Sequence, residues 1–314
     1  MYRRSLTTSN PHASSPMATD DRTLFFTLVG TAGQRARARL LVESLRAFGG
    51  RLRHCPIWVF EADRDRAPCD ELAGEGVTVR PLKVPDTVQN NWFGSKVAAC
   101  AQAEALAGPE VRSLVWLAAD CLVIGPPTLL DLAPDHDVAV RPVHHRNVGL
   151  RAGEPLDDFW RGVYGALGIE ELEATVETFV EGERIRPYFN SHVLAVNPAL
   201  GLFGRWLALF EGLVADRSFQ AGSCSDVAHQ IFLHQAVISA LLATAVEPER
   251  VRHLPPDYSY PYNLHASVPA GRRARALNDL VCITYEERPL DPALVDDIEI
   301  DEPLRSWLSS RAAR

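Results

Sequence analysis

The stretch VWLAADCLVIGP, residues 115–126, places a single carboxylate, Asp120, directly after an apolar run. Residues 114–117 predict a buried strand, because short apolar runs bounded by turn residues are typical of strands covered on both faces. The pair Gly125-Pro126 predicts the turn that follows. A carboxylate at the mouth of a buried strand is costly to desolvate without a partner, so Asp120 is a candidate functional residue. The alternative is a turn acid beside the Gly-Pro bend.

Strand-like and helix-like segments alternate on both sides of this stretch. Residues 24–29 and 57–60 have the composition of strands, and residues 34–50 between them show apolar residues at helical spacing. Further strands are expected near residues 77–82, 137–143 and 192–197, and further helices near 95–106, 199–215 and 226–243. This alternation predicts an α/β fold with a mostly parallel central sheet flanked by helices, in which ligands bind at the carboxyl ends of the strands.

Length and composition favour one large domain. The chain has 314 residues, of which 46% are hydrophobic, enough to bury a sizeable core. Residues 1–21 are rich in Ser, Thr, Pro and Asn and predict a disordered tail. We expect the main domain to span residues 22–290 and an acidic C-terminal extension to span residues 291–314.

The charge and the cysteines limit the partners and the compartment. A formal net charge of -8 gives no field that would attract nucleic acid or anionic lipid to the whole protein. No stretch is expected to reach the roughly 18 apolar residues of a membrane span. The six cysteines form no CxxC pair, which indicates reduced thiols and argues against a zinc site. These features predict a cytoplasmic protein without an integral membrane segment.

The first candidate site is LVGTAGQR, residues 28–35, where a strand meets a helix. Thr27, Gly30 and Thr31 are candidate nucleotide contacts, because a glycine turn before a helix can hold a phosphate at the helix N-terminus. The alternative is a plain tight turn. The GxGxxG spacing of dinucleotide-binding folds is absent, which disfavours a nicotinamide-dependent oxidoreductase.

The second candidate site is RPYFNSHVLAVNP, residues 186–198. Asn190, Ser191 and His192 bring together an amide, a hydroxyl and an imidazole just before an apolar strand. This set of groups suits hydrogen bonding to a polyhydroxylated ligand. A structural histidine at a strand mouth is the alternative.

The order of these segments resembles the nucleotide-diphospho-sugar transferases of the GT-A type, and within them the glycogenin and lipopolysaccharide galactosyltransferase type. WLAADCLV resembles the family's LDSDTLV, and FNSHVLAVN resembles FNAGVLLIN. His229-Gln230 stands for the family's Asp-Gln pair, and LPPDYSYPYN, which ends at Asn263, stands for the Leu-Pro turn that leads to an Asn. The resemblance covers residues 22–290 and implies a single GT-A-like, Rossmann-like domain.

In this family the Asp-x-Asp motif holds a divalent ion on the diphosphate of the donor. Here the motif becomes Ala118-Ala119-Asp120, so the first acid is missing. The resemblance leaves three readings. Asp120 binds manganese or magnesium with help from His265 or water; cationic side chains replace the ion; or the protein is a catalytically silent homologue that binds a nucleotide sugar or a partner. The candidate cations are Lys96, Arg141, His145 and Arg146.

The resemblance also distributes the remaining roles. Glu61 and Asp63 would lie beside the base, and Lys96 beside the diphosphate. The sugar and the acceptor would contact Asn190, Ser191, His192, Gln230 and Asn263, with Tyr258, Tyr260 and Tyr262 as a stacking platform. For Glu61, Asp63 and Lys96 the alternatives are solvated acids and a helix-face lysine, and for the tyrosines core packing.

An inverting enzyme needs a carboxylate base, for which Asp226 and Asp257 are candidates. Asp226 is equally well placed as a helix N-cap. Because the family resembled is retaining, the sequence favours a retaining glycosyltransferase that moves a sugar from a nucleotide-diphosphate sugar to a soluble acceptor.

Overall fold

The computed structural model of the chain describes residues 22–74, 76–132 and 134–312. The predicted tail at residues 1–21 lies outside the described residues. The twelve strands of the described part are β1 Thr23–Val29, β2 Ile57–Glu61, β3 Val77–Pro81, β4 Ser113–Leu117, β5 Cys121–Val123, β6 Val138–Pro142, β7 Val176–Glu177, β8 Arg184–Ile185, β9 Phe189–Val196, β10 Val251–His253, β11 Tyr260–Pro261 and β12 Cys282–Thr284.

Seven of these strands form the central sheet, in the order β10-β6-β9-β4-β1-β2-β3. All neighbouring pairs are parallel except those of β9, which runs antiparallel to both β4 and β6. The α/β class and the mostly parallel sheet predicted from the sequence are therefore confirmed. The reversed β9 brings its first residues to the edge of the sheet where β1, β4 and β6 end.

The helices flank this sheet. The α-helices of the described part are α1 Ala32–Phe48, α2 Gly94–Leu106, α3 Asp158–Leu167, α4 Leu202–Ala215, α5 Arg217–Ala221, α6 Val227–Ala245 and α7 Leu304–Ala312. Short 3-10 turns lie at Gly50–His54, Asp70–Leu72, Thr128–Leu130, Pro198–Leu200, Pro248–Arg250, Tyr262–Ser267 and Leu277–Asp279.

Two hydrophobic clusters cover the two faces of the sheet. On one face β1 and β4 pack against α2, α3, α4 and α6 through residues such as Phe26, Trp116 and Trp206. On the other face α1 packs through Leu41 and Leu45. Burial on both faces explains why the central strands read as nearly continuous apolar runs.

A third cluster joins the end of the chain to a small sheet of order β11-β12-β5. Ile298, Ile300, Leu304 and Leu308 are buried in this cluster. Residues 282–285 run beside 120–123, so the late part of the chain borders the turn that contains Asp120.

Among the residues that the structure describes, one helix, α6, is long and apolar enough to cross a membrane. The expectation that no stretch would reach this length and hydropathy is wrong for α6. Residues 233–242 of the helix are all buried, and the helix packs against β9, α3 and α4. An all-round apolar helix is typical of a protein core as well as of a membrane, so this packing accounts for its composition.

The start of α2 is held by a close backbone approach. Phe93 has the left-handed backbone conformation with φ 61°, and the Gly94 N–H donates to the Asn91 carbonyl at 3.0 Å. A Cβ on Gly94 would lie 1.9 Å from the carbonyl oxygen of Val88. Only glycine fits there. This contact fixes where α2 begins and therefore the position of Lys96, two residues later in the helix.

We predict that Gly94→Ala destabilises the protein by about 1–3 kcal/mol, because the added methyl group forces the backbone of residues 88–94 apart. Gly212→Ala is the matched control, since a Cβ on this helical glycine of α4 meets nothing within 4 Å. It should stabilise the protein by up to roughly 1 kcal/mol. Urea unfolding of both variants measures the difference. Equal stability of the two would contradict the proposed constraint.

Candidate active site

A cavity of 170 Å³ lies at the sheet edge where β1 and β4 end and β9 begins. Residues from α1, α2 and α6 close it from the sides. Its lining consists of Leu28, Gln34, Arg37, Phe93, Lys96, Trp116, Ala118, Ala119, Asp120, Ser191, His192, Phe232, His234 and Gln235. The predicted residues Asp120, Lys96, Ser191 and His192 are thus brought together by the fold.

Lys96 is a buried cation in this cavity. Its ammonium donates to the Ser191 carbonyl at 2.5 Å and to the Ser191 hydroxyl at 2.7 Å. The ammonium also lies 5.6 Å from the ring centroids of Phe93 and of Trp116, whose indole N–H donates to the same carbonyl. Burial lowers the pKa of Lys96 from 10.5 to about 8. Two of the three N–H donors are engaged by Ser191, so one is available to a ligand.

The hydroxyl of Ser191 continues this network toward α6. It lies 3.1 Å from His234 Nε2 and 3.1 Å from Gln235 Oε1. Nδ1 of His234 donates to the Ile231 carbonyl at 2.9 Å, and burial holds the pKa of His234 well below its usual value. The neutral ring therefore presents an unprotonated Nε2 to the Ser191 hydroxyl. This hydroxyl lies between two acceptors, His234 Nε2 and Gln235 Oε1, and accepts from the Lys96 ammonium.

Asp120 has no hydrogen-bond partner for its carboxylate among the described residues, although its carbonyl accepts from the Tyr285 N–H at 3.0 Å. Ala118 and Ala119 add no polar group to the turn. Of the described residues that line the cavity, Asp120 carries the only carboxylate. The acid is half-buried and faces the same space as the Lys96 ammonium, so its free oxygens are directed at a ligand position.

His192 lies beside Asp120 with one ring nitrogen free to accept. Its backbone N–H and its Nδ1 both approach Asn190 Oδ1, at 2.8 and 3.1 Å, so Nδ1 donates and Nε2 is left as an acceptor. Burial lowers the pKa of His192, opposed by the Asp120 carboxylate. Asn190 thus acts by orienting His192, whose Nε2 lies 4.0 Å from Glu286 Oε1.

The expectation that His265 shares a metal ion with Asp120 requires correction. His265 is buried outside this cavity, where Nε2 donates to the Asp297 carbonyl at 3.1 Å and Nδ1 accepts from the Tyr260 hydroxyl at 2.9 Å. Neither nitrogen is left to bind a metal. In the described part of the chain, no group of three or more His, Cys, Asp or Glu side chains is arranged to hold an ion.

The candidate nucleotide contacts near β1 take part mainly in the local structure of the strand and of the helix start. Thr27 is buried within the strand, and Thr31 caps α1 by accepting from the Gln34 N–H at 3.1 Å. The Gly30 N–H donates to Gln34 Oε1 at 2.8 Å. The alternative of a plain tight turn therefore describes these contacts. The side chain of Gln34, which was not among the sequence candidates, lines the cavity.

Glu61, the last residue of β2, and Asp63 both form hydrogen bonds within the loop that follows the strand. Glu61 accepts from the Cys69 N–H at 2.7 Å and pairs with Arg64 at 3.2 Å, and it is buried. Asp63 accepts from the Arg66 N–H at 3.1 Å. Glu61 holds residues 61–70 in place and is not directed at a ligand.

The structure places Asp226, the candidate base, and Gln230, a predicted sugar or acceptor contact, at the start of α6 and outside the cavity. Asp226 is the N-cap of the helix: its carboxylate accepts from the His229 N–H at 3.0 Å and bonds the His229 ring, which lowers the pKa of Asp226. Gln230 donates to the Ser225 carbonyl at 3.3 Å. Neither Asp226 nor Gln230 lines the cavity.

A second His-Gln pair, His234-Gln235, recurs five residues later on the same helix and does line the cavity. The signal was present in the sequence. Choosing between the two pairs required knowing which face of α6 packs on β9, because five residues displace a side chain by well over one turn along the helix.

The expected tyrosine platform is core packing. Tyr258, Tyr260 and Tyr262 are all buried, and their hydroxyls bond the protein itself. Asn263 is half-buried beside them and outside the cavity, and Asp257 is likewise absent from its lining. The alternative of packing in a Pro-rich wrap is therefore correct for the tyrosines.

Of the four cations predicted to replace the metal, only Lys96 reaches the cavity of Asp120. His145 bonds Glu181 at 2.6 Å, and Arg146 pairs with Glu183 at 3.2 Å. Arg141 lines a different cavity. Arg37, which sequence reasoning missed, lies on the rim and pairs with Glu287 at 2.6 Å.

Comparisons with known proteins agree with this fold. The family model of the Rhodobacterales glycosyltransferase domain matches residues 26–240. Among solved structures, the chain is similar to the galactosyltransferase LgtC in complex with donor and acceptor sugar analogues, with TM-score 0.51 and 13% identity over 93% of this chain and 95% of that one.

The chain is also similar to the WbbM bifunctional glycosyltransferase, with TM-score 0.50 and 13% identity over 87% of this chain and 47% of that one. No curated protein sequence matches.

The chain therefore belongs to the Rhodobacterales glycosyltransferase family and has the GT-A fold. It is a glycosyltransferase, as the resemblance in the sequence implied. The matched residues 26–240 contain the end of β1, all of α2, β4 and β9, and the part of α6 that lines the cavity, so the cavity lies within the matched part of the chain.

The buried ammonium of Lys96 predicts that the free energy of unfolding rises as the pH becomes alkaline. Because the pKa of Lys96 is lower in the folded protein than its usual 10.5, the unfolded chain binds more protons between about pH 8 and 10.5, and stability rises with pH there. We expect a contribution on the order of 3 kcal/mol over this range.

Urea unfolding at pH 7.5 and pH 10 measures this contribution, as the difference between the wild-type protein and Lys96→Met. Lys83→Met is the control, because Lys83 is exposed and is the only other lysine in the sequence. An equal change in stability between the two pH values in the wild type and in Lys96→Met would contradict the assignment.

Proposed function

We propose that this enzyme transfers a sugar from a nucleotide-diphosphate sugar to a soluble acceptor and binds the donor diphosphate between Lys96 and Asp120. One observation carries the proposal: a buried ammonium with a free N–H and an unpaired carboxylate line one cavity at the ligand edge of a glycosyltransferase fold. The similar LgtC structure holds donor and acceptor sugar analogues, which supports the same two classes of ligand here.

Glycosyl transfer requires that the negative charge on the departing diphosphate is stabilised. Lys96 supplies a compact positive charge, and lysine binds phosphate as a point charge. Because its two other donors are fixed on Ser191, the ammonium is preorganised and needs little rearrangement when the charge develops. Arg37 on the rim adds a second positive group, although Glu287 already balances part of its charge.

Asp120 is suited to a divalent ion that arrives with the nucleotide. Magnesium and manganese prefer oxygen ligands, and one or two carboxylates with water and substrate phosphates are a common set. Asp120 would hold such an ion, with Nε2 of His192 beside it. When bound, the ion would neutralise charge on the diphosphate. The chain's own Lys96 performs the same task without it.

The lining of the cavity supports a retaining reaction. An inverting enzyme needs a carboxylate base beside the acceptor hydroxyl. Asp226 caps α6 outside the cavity, and Asp257 is absent from the lining, so Asp120 on the diphosphate side is the one carboxylate there among the described residues. A cavity of 170 Å³ is below the usual size of a ligand site, so it would accommodate the reacting end of the donor rather than the whole nucleotide sugar.

Calorimetric titration with UDP, GDP, ADP and dTDP, each with and without manganese, tests this proposal. We expect one nucleotide to bind, and Lys96→Met to weaken its metal-free binding by roughly tenfold to a hundredfold, the value of a hydrogen bond to a charged group. Asp120→Asn should abolish any gain from manganese, while Lys83→Met should bind as the wild type does. Without manganese, the affinity should fall as the pH rises above about 8, since Lys96 loses its charge.

Failure of all four nucleotides to bind would overturn the proposed donor site. Equal binding by Lys96→Met and the wild type would exclude Lys96 from it.

A further inference from the structure

A second cavity, of 450 Å³, lies at the same edge of the sheet, where β6 and β10 end. We define it as the Arg141 cavity, and none of its lining residues lines the cavity of Asp120. It is lined by Arg141, Pro142, Glu177, Thr178, Phe179, His253, Leu254, Pro256, Gly271 and Arg272.

Arg141 is a buried cation with no ion-pair partner among the described residues. Arg141 is 3% exposed. Its Nε and Nη2 atoms have no hydrogen-bond acceptor within the part of the chain that the structure describes. None of the ion pairs of the described residues includes it. Burial lowers the pKa of Arg141 to about 10, with Asp257 acting in the opposite direction. An unpaired buried guanidinium is strongly unfavourable, so its presence points to a bound counter-charge.

The surroundings present the guanidinium to a ligand. Arg141 stacks on Phe179 with its guanidinium carbon 4.5 Å from the ring centroid, which leaves the edge of the planar fork free for in-plane hydrogen bonds. The other charged pair in the lining is already neutral, because Arg272 bonds Glu177 at 2.5 Å. Among the described lining residues, Arg141 is therefore the one cation that no lining carboxylate balances. Buried His144, with both ring nitrogens unpartnered, lies against the same Phe179 ring at a centroid distance of 6.2 Å.

The position of Arg141 relates this cavity to the proposed transfer. Arg141 pairs with Asn190 of β9, and β9 is the neighbour of β4, which leads to Asp120. Two strand spacings separate β6 from β4, roughly 10 Å. A disaccharide is of comparable length, so a ligand anchored at Arg141 is long enough to extend toward the donor at Asp120.

We propose that the Arg141 cavity binds the oxyanion of an acidic acceptor, a sugar carboxylate or a sugar phosphate. This proposal rests on the proposed transfer from a nucleotide-diphosphate sugar and assigns the acceptor to a chemical class. The planar guanidinium matches both oxyanions through two parallel N–H···O bonds, and the size of the cavity suits a sugar.

Calorimetric titration of the full chain at constant ionic strength tests the proposal, with glucuronate, glucose 6-phosphate and neutral glucose as the probes. We expect one or both acids to bind the wild type and glucose not to bind. Binding of only glucuronate or only glucose 6-phosphate identifies the oxyanion. Arg141→Met should weaken acid binding by roughly tenfold to a hundredfold, and Arg141→Lys, which keeps the charge but loses the fork, should lie between.

Arg217→Met is the matched control, because Arg217 is exposed on α5 and remote from the lining. It should bind the acids as the wild type does. Thermal unfolding without ligand provides a second readout: removal of an unpaired buried charge should raise the midpoint for Arg141→Met, whereas a structural role for Arg141 would lower it.

The site is excluded if neither acid binds the wild type, or if Arg141→Met binds both acids unchanged. Nucleoside diphosphate titrations of the same samples separate this failure from that of the proposed function. Unchanged nucleotide binding by Arg141→Met is expected, and a parallel loss would assign Arg141 to the donor instead. Acid binding in a protein that binds no nucleoside diphosphate would overturn the acceptor assignment.

Discussion

One buried ammonium, that of Lys96, holds the candidate site together. It bonds the carbonyl and the hydroxyl of Ser191, and the Trp116 indole bonds the same carbonyl, so α2, β4 and β9 meet at one residue. Burying a charge is costly unless hydrogen bonds and a counter-charge compensate it. Ser191 supplies the hydrogen bonds, and Asp120 is the carboxylate that faces the ammonium. The site is therefore stable as a protein structure and still has charge to offer an anionic ligand.

Two cavities at the carboxyl edge of the sheet each contain a buried cation. Lys96 lies with Asp120 in the smaller cavity, and Arg141 lies two strands away in the larger one. The reversed strand β9 runs between them: His192 lines the smaller cavity, and Asn190 pairs with Arg141 in the sheet. Strand β10, beyond the residues matched by the family model, completes the Arg141 cavity. The proposed donor site thus lies within the residues that the family model matches, whereas the proposed acceptor cavity also uses residues later in the chain.

The fold was readable from the sequence because alternating apolar runs and helical spacing reflect burial directly, as at α1 and β4. Asp120, Lys96 and Ser191 could be grouped because the family resemblance places the first two at the diphosphate and the third at the sugar. Which His-Gln pair lines the cavity depended on the face of α6 that packs on the sheet, and that pair is His234-Gln235. The partners of His265 are distant in sequence, and no local pattern indicates them. The antiparallel direction of β9 likewise follows from tertiary packing.

The most direct test of the role of Lys96 is ¹⁵N NMR of the lysine side chains. The sequence has two lysines, so a protein labelled at lysine Nζ gives one signal from Lys96 and one from exposed Lys83 as an internal reference. We expect Lys96 to titrate near pH 8 in the free protein, and a bound nucleoside diphosphate to raise its pKa toward 10.5 while Lys83 does not change. A Lys96 titration that is unaffected by saturating nucleotide would contradict the claim that this ammonium binds the diphosphate.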